Sequence, residues 1–218
     1  FENSSFKYEY EVLAHHWLRS GDVVRGCRLL QNAAEKAIEV GAYKEAVNSL
    51  SQAISCSDDA VQKALWYGLL AIARAHTGDV DQAGSMGLKG IECLNDPEYL
   101  PQVKTEAAVQ KLKREFEQLD DIPPPRVSDE KIDMKERAIY LCCMGVTKSL
   151  YALAFGTHVV AKEIVKNHNS EMKLPEMGTR ITRIRQHPVF QNLRDFYAYK
   201  SMILAYKYGD IVAWAMCS

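Results

Sequence analysis

Gly41-Ala42-Tyr43-Lys44-Glu45-Ala46 stands between two helix-forming segments, and the chain repeats this pattern elsewhere. The other copies are Gly21-Asp22-Val23-Val24-Arg25-Gly26, Gly78-Asp79-Val80-Asp81-Gln82-Ala83 and Gly156-Thr157-His158-Val159-Val160-Ala161, with a degenerate copy at Gly209-Asp210. In each full copy a helical segment runs into glycine, and a small residue follows five positions later. A recurring helix–turn–helix unit is typical of stacked helical arrays, which serve mainly as binding surfaces.

The glycine and the small residue five positions after it each have a structural role. Glycine adopts a positive φ without a Cβ clash, so it ends a helix readily. The small residue lets two antiparallel helices approach closely, as Ala46, Ala83 and Ala161 would. Gly26 meets the same need at a cost in helix propensity.

Apolar residues recur at helical spacing through most of the chain, while alternating apolar and polar runs are scarce. The pattern predicts an all-α fold, a TPR-like superhelical array of antiparallel helix pairs with roughly nine to eleven helices. The predicted helices are 6–19, 23–40, 43–55, 61–76, 79–94, 102–119, 130–154, 158–166, 181–185 and 189–208.

The clearest interruption is Asp120-Asp121-Ile122-Pro123-Pro124-Pro125, because consecutive prolines cannot continue a helix. We therefore divide the chain into TPR-like repeats at 1–119, a Pro-rich linker or loop at 120–129, and further helical repeats at 130–218. Whether 120–129 separates two domains or joins stacked helices stays open. Because the sequence stops at residues 215–218 in the middle of an apolar helical pattern, we expect a piece of a longer polypeptide.

The composition narrows the function classes. The 218 residues are 47% hydrophobic and 25% charged, with a formal net charge of −1. This balance disfavours a general nucleic-acid binder and a polybasic membrane-surface module. The sequence has neither an apolar run long enough to span a membrane nor a signal peptide, so we expect a cytoplasmic protein. The six cysteines form no C-x-x-C pair and are expected to be buried, reduced thiols.

Motifs that suggest chemistry lack their partners. Adjacent residues on a helix point about 100° apart, so neither His15-His16 nor Cys142-Cys143 chelates a metal by itself. Ser170-Glu171-Met172-Lys173 fits S-x-x-K but lacks the other elements of that site. No phosphate-binding glycine motif occurs. We predict no catalytic residue, no cofactor and no metal site.

One basic cluster stands out near the end of the chain. It comprises Arg180, Arg183, Arg185, His187, Arg194, Lys200 and Lys207. A solvated face with the neighbouring aromatic residues turned into the core is the favoured interpretation. An acidic protein partner is the main alternative, since the overall charge offers nucleic acid no steering.

Two stretches near the start carry a more specific likeness. They are Leu13-Ala14-His15-His16-Trp17-Leu18-Arg19-Ser20-Gly21-Asp22 and Leu29-Leu30-Gln31-Asn32-Ala33, followed by the Gly41–Ala46 copy. Together they resemble the TPR-like region of large signalling ATPases, in which an AAA-type ATPase domain precedes a long helical array. Soluble adenylyl cyclases belong to that group. The likeness covers about residues 8–95 and, more loosely, 130–166. It implies that any catalytic domain lies upstream, outside this chain.

We therefore expect a non-catalytic interaction or regulatory segment of a larger cytoplasmic signalling protein, of the nucleotide cyclase or AAA-type ATPase kind. A concave face built by the first helices of each pair would bind a protein, a peptide or a neighbouring domain. Aromatic anchors dominate interface energies, so the candidate binding residues are Tyr10, His16, Trp17, Trp66, Tyr67 and Tyr151, although the same residues equally suit a core. The alternative is a structural scaffold subunit of a large assembly such as a ciliary or axonemal complex.

Overall fold

The computed structural model of the chain describes residues 3–100, 104–119, 133–155 and 188–207. All regular secondary structure in these ranges is helical. The described helices are α1 (Asn3–Arg19), α2 (Val23–Glu39), α3 (Tyr43–Cys56), α4 (Ala60–His76), α5 (Val80–Leu94), α6 (Glu106–Glu117), α7 (Met134–Phe155) and α8 (Pro188–Lys207). The predicted all-α class is confirmed. The predicted helices 158–166 and 181–185, the copy at Gly156 and the segment 120–129 lie outside the described residues.

The three described copies of the glycine motif form the same turn. Gly21, Gly41 and Gly78 all have positive φ, at 89°, 77° and 82°. The residue after each glycine donates its backbone N–H to the carbonyl five positions earlier, at 3.0, 2.7 and 3.0 Å. This is the Schellman bond, which satisfies a carbonyl that the helix end leaves open. The recurrence seen in the sequence is therefore a recurrence of one turn geometry.

The polar residue after glycine has its own function in two of the copies. The Asp22 carboxylate accepts from the Arg25 backbone N–H at 3.0 Å, and Asp79 accepts from that of Gln82 at 3.3 Å. Both are N-caps of the helix that follows. Ala42 occupies the same position in the third copy and makes no side-chain cap. Gly-Asp thus ends one helix and begins the next within two residues.

The small residues of the motif are fully buried between helices. Ala46 and Ala83 are 0% exposed. A Cβ on Gly26 would lie 2.6 Å from the Leu18 side chain, so α2 approaches α1 more closely than alanine would allow without movement. These contacts confirm the close approach that the motif predicts.

Consecutive helices pack against one another from α1 to α5, and then the order changes. Instead of α6, the next helix to pack against both α4 and α5 is α7. Helix α8 packs against α7, and α6 packs mainly against α8. The core extends from Ala14 to Ala205 and includes the fully buried Trp66 and Tyr197. Helices on both sides of residues 120–132 therefore share one hydrophobic core.

Glycines make the contact between α7 and the α4–α5 pair unusually close. A Cβ on Gly68 would lie 2.6 Å from the Leu141 Cβ, and one on Gly87 would lie 2.6 Å from the Cys142 carbonyl oxygen. On α7 itself, a Cβ on Gly145 would lie 2.5 Å from the Ala71 Cβ. We call these residues the glycine seam. It lets three helix backbones meet where larger side chains would hold them apart.

No helix in the described part of the chain combines the length and apolar character required to cross a bilayer.

Candidate protein-interaction surface

Three of the six residues singled out in the sequence share one helix. Tyr10, His16 and Trp17 all lie on α1, where Tyr10 and Trp17 are half-buried and His16 is exposed. The Arg25 guanidinium of α2 lies over the Trp17 ring, with its carbon 4.6 Å from the ring centroid. This is a cation–π contact between a helix and its neighbour.

Trp66 does not offer a surface. Its side chain is in the core at 2% exposure, and its indole Nε1 donates to the Gln31 Oε1 at 2.9 Å. The sequence left two interpretations of Trp66 open, a binding residue or a core residue, and its burial agrees with the second. An aromatic residue at helical spacing has the same pattern whether its stripe faces a core or a partner.

Tyr67 and Tyr151 lie apart from the α1 residues. Tyr67 is half-buried against α5, where a Cβ on Gly90 would lie 3.1 Å from the Tyr67 Cβ. Tyr151 on α7 is 43% exposed, with the Arg194 guanidinium of α8 5.7 Å from its ring centroid. The six residues therefore do not assemble into one site.

Trp17 of α1 meets Arg25 of α2 near the turn that joins the two helices. Tyr10, Leu13 and Trp17 lie at the i, i+3 and i+7 positions of α1. Sequence reasoning found the aromatic residues but missed Arg25, which only the pairing of the two helices brings to Trp17.

A polar network joins α2, α4 and α7 on another face. Gln31 accepts from the Trp66 indole through its amide oxygen, and its amide nitrogen donates to the Glu35 Oε1 at 3.1 Å. Arg137 of α7 donates to the same Glu35 oxygen at 3.1 Å. The side chains of Glu35 and Arg137 are 29% and 39% exposed, so solvent screens the pair and its contribution to stability is small. The pair is a direct side-chain contact between α7 and α2.

The described cysteines are all free thiols, and three of them are buried. Burial raises the pKa of Cys143 to about 12 and that of Cys142 well above its ordinary value. The Cys142 Sγ lies 3.3 Å from the Ala64 carbonyl oxygen and packs against Gly90 of α5. A thiol held protonated in this way is a poor nucleophile. Within the described residues, no group of three His, Cys, Asp or Glu side chains is placed to hold a metal ion.

A buried lysine just before the start of α6 packs against α8. Lys104 is 7% exposed, its ammonium donates to the Glu98 carbonyl, and it lies 4.3 Å from the centroid of the Phe196 ring. Burial lowers the pKa of Lys104. The segment before it is also held by α8, since the Tyr197 hydroxyl donates to the Tyr99 carbonyl at 2.7 Å. These contacts attach the α5–α6 connection to α8.

The part of the predicted basic cluster that lies on α8 is paired with acidic groups. Lys200 lies 3.4 Å from Glu98, and Lys207 lies 2.6 Å from Glu136. Arg194 pairs with Asp195 at 2.6 Å. The buried aromatic residues of the same helix are Phe190, Phe196, Tyr197 and Tyr206. Arg180, Arg183, Arg185 and His187, like Ser170 and Lys173, lie outside the described residues.

The chain was compared with protein-family models, with curated proteins and with solved structures, and none of them matches it.

Proposed function

We propose that this chain is a non-catalytic, TPR-like helical-repeat segment that binds a protein, a peptide or a neighbouring domain of the same polypeptide. Its place would be in a larger cytoplasmic signalling protein of the nucleotide cyclase or AAA-type ATPase kind. The observation that carries the proposal is one turn geometry used three times between helices that pack in succession. Such arrays create long surfaces whose side chains vary while the backbone repeats.

The succession of contacts also supports a superhelical arrangement of helix pairs. Helices α1 to α5 stack in order, and α7 occupies the position beside α4 and α5 where the next helix of an array would lie. Helix α6 is then an insertion into the array, attached through α8. Insertions of this kind map to loops on one face of helical repeats.

The exposed apolar side chains support binding as the purpose of the surface. Val12, Leu13 and Val24 are 54%, 47% and 81% exposed. Single exposed apolar residues are ordinary, but here they accompany a half-buried Trp17 that is stacked under an arginine. Tryptophan, tyrosine and arginine are the residues enriched at the energetic centres of interfaces.

The chemically reactive groups support a role other than catalysis. Cys142 and Cys143 are fully buried and held protonated, and Lys104 is packed against Phe196. A general acid, base or nucleophile must reach a substrate. These groups instead contribute to helix packing.

Selection from a random peptide library displayed on phage, against the immobilised 218-residue chain, tests the proposal. Enriched peptides would be synthesised and titrated by isothermal calorimetry. We expect saturable binding at about micromolar affinity, near −8 kcal/mol, which is typical of a modest peptide interface. Failure to obtain any saturable peptide would contradict the proposed function. Nucleotide turnover by the purified chain, lost on substitution of a residue within 1–218, would contradict its non-catalytic part.

A further inference from the structure

We propose that Cys27 of α2 and Cys56 of α3 form an oxidation-sensitive thiol pair, which a hydroperoxide converts to a disulfide that ties the two helices together. The proposal goes beyond the proposed function and does not depend on it. The juxtaposition that carries it is two free thiols at the same end of one helical hairpin, one buried against the partner helix and the other accessible.

The hairpin brings the two cysteines to the same level. Cys27 and Cys56 are equally far along the chain from the Gly41-Ala42 turn, on two consecutive helices that pack against each other. A direct contact fixes this register, because the Cys27 Sγ donates to the Ala53 carbonyl oxygen of α3 at 3.7 Å. Cys56 follows Ala53 by three residues and therefore lies on the same face of α3. Helical side chains lean towards the helix N-terminus, so the side chain at 56 covers the turn that Cys27 contacts.

Small side chains let the two helices approach closely. A disulfide requires Cα atoms about 4.4–6.8 Å apart, a distance that bulky facing residues would prevent. Most of the buried residues of this hairpin on the side nearer the turn are small: Ala33, Ala34, Ala37, Ala46 and Ser49. The pKa of Cys27 agrees with this proximity, since burial raises it and the negative charge of a Cys56 thiolate raises it further.

The two thiols differ in exposure, which sets the order of the reaction. Cys56 is half-buried, whereas Cys27 is 3% exposed. The Cys56 thiolate attacks one oxygen of the hydroperoxide, the O–O bond breaks, and a sulfenic acid forms. The Cys27 thiolate then attacks that sulfur, so the S–S bond forms and the sulfenic oxygen leaves as hydroxide. The hydroperoxide accepts the two electrons, and the two thiol protons complete the water or alcohol that is released.

The reaction is reversible by a dithiol reductant, which attacks one sulfur of the disulfide and returns both cysteines to thiols. In reducing compartments, disulfides are usually transient and sense the redox state. A pair of this kind is therefore compatible with the cytoplasmic location expected from the sequence.

Peptide mapping of the oxidised 218-residue chain tests the proposal. The folded chain would be treated with a small molar excess of hydrogen peroxide, denatured in N-ethylmaleimide and digested with trypsin without reductant. Trypsin cleaves after Arg25, Arg28, Lys44 and Lys63, so each thiol falls in a peptide of its own, 26–28 and 45–63. We expect these two peptides to be joined with the loss of two hydrogens and to be separated by dithiothreitol.

Variants and unfolding conditions provide the controls. Cys56→Ser should abolish the linked peptide, and Cys93→Ser, which removes another half-buried thiol, should leave its yield unchanged. In concentrated urea the same treatment should distribute disulfides among the six cysteines, because the hairpin no longer holds the pair together. The linked protein should unfold at a higher urea concentration than the reduced protein, since the cross-link restricts the unfolded chain.

Three results would overturn the proposal. One is a folded chain in which Cys27 remains a free thiol after peroxide treatment, whether or not Cys56 is oxidised. Another is a disulfide between the Cys56 residues of two chains, recognised by a doubled mass on a non-reducing gel. The third is a linked peptide whose yield is the same in the folded and the urea-unfolded chain. Peptide binding is measured separately, so none of these results contradicts the proposed function.

Discussion

Single glycines decide where α1, α2 and α4 end. Gly21, Gly41 and Gly78 all occupy the left-handed region, and no heavy atom lies within 4 Å of where their Cβ atoms would be. Space is therefore available for a side chain at these positions. The requirement for glycine is one of backbone conformation, since an L-residue with a Cβ is strained there.

Gly78→Ala is expected to lower the free energy of unfolding by about 1–2 kcal/mol, because alanine would have to adopt the positive φ of the turn. Gly78→Asn should lower it less, since asparagine tolerates this conformation. Urea denaturation followed by circular dichroism measures both. Equal losses for the two variants would show that the strain argument does not apply at this turn.

Lys104 is a second position where one side chain has a measurable consequence. Burial lowers its pKa in the folded chain, so folding favours the neutral amine relative to the unfolded state. The unfolded chain retains the proton up to a pKa near 10.5. The contribution of Lys104 to stability should therefore increase as the pH rises through the lowered folded pKa towards 10.5.

Comparison of the wild type with Lys104→Met isolates this effect. We expect the unfolding free energy of the wild type, relative to the variant, to grow as the pH rises from neutral towards 10.5. A difference that stays constant or shrinks with pH for Lys104→Met would be inconsistent with a buried cation. Denaturant titrations at a series of pH values provide the measurement.

At the scale of elements, the feature that matters most is the glycine seam. Helix α7 contacts α4 and α5 so closely that Gly68, Gly87 and Gly145 all face atoms of a neighbouring helix. Close-packed interiors tolerate an added methyl poorly when the obstructing atom belongs to the backbone. A flexible side chain can move aside instead. Gly87 faces a backbone oxygen and Gly26 faces a leucine side chain, so the two cases can be compared in this chain.

Gly87→Ala should destabilise the protein more than Gly26→Ala. The new Cβ at 87 would meet the Cys142 carbonyl oxygen at 2.6 Å, and we expect a net loss of about 1–2 kcal/mol after the gain in helix propensity. At 26 the nearest atoms are Leu18 Cγ and Cδ2, which can rotate away. Thermal and urea unfolding of the two variants give the comparison. If Gly26→Ala proved more destabilising than Gly87→Ala, the glycine seam would be more loosely packed than these distances indicate.

For the whole molecule, the distribution of contacts implies a gradient of local stability. Helices α4 and α7 pack against several neighbours each, whereas α1 packs mainly against α2 and α6 mainly against α8. Local opening requires less free energy where few buried contacts are broken. The α1–α2 pair, which carries Trp17 and Arg25, lies at the less strongly supported end.

Hydrogen exchange followed by mass spectrometry should reveal this gradient. After correction for intrinsic rates, peptides from α4 and α7 are expected to exchange slowest, and those from α1 and α6 fastest. Uniform exchange over all described helices would indicate one cooperative unit and would remove the basis for the gradient.

Much of the fold follows from local patterns. The glycine turns, their buried Ala46 and Ala83, and the positions of the helices were predictable because each depends on residues close together in the chain. The ends of the helices were harder to predict. Helix α6 begins at Glu106, with Thr105 as its N-cap, whereas the sequence pattern placed its start at residue 102. The sequence could not sort the candidate binding residues by place: Tyr10, His16 and Trp17 share α1, whereas Trp66 is buried in the core.

The amino-acid sequence by itself determined the helical class, the turn geometry and the aromatic residues of α1. Tertiary structure alone decided that α7, and not α6, completes the stack on α4 and α5, that Arg25 covers Trp17, and that Trp66 points inward. The physical reason is the range of the interactions. Helix formation and capping depend on neighbours within a turn or two, whereas the choice of packing partner compares surfaces that lie far apart in the chain.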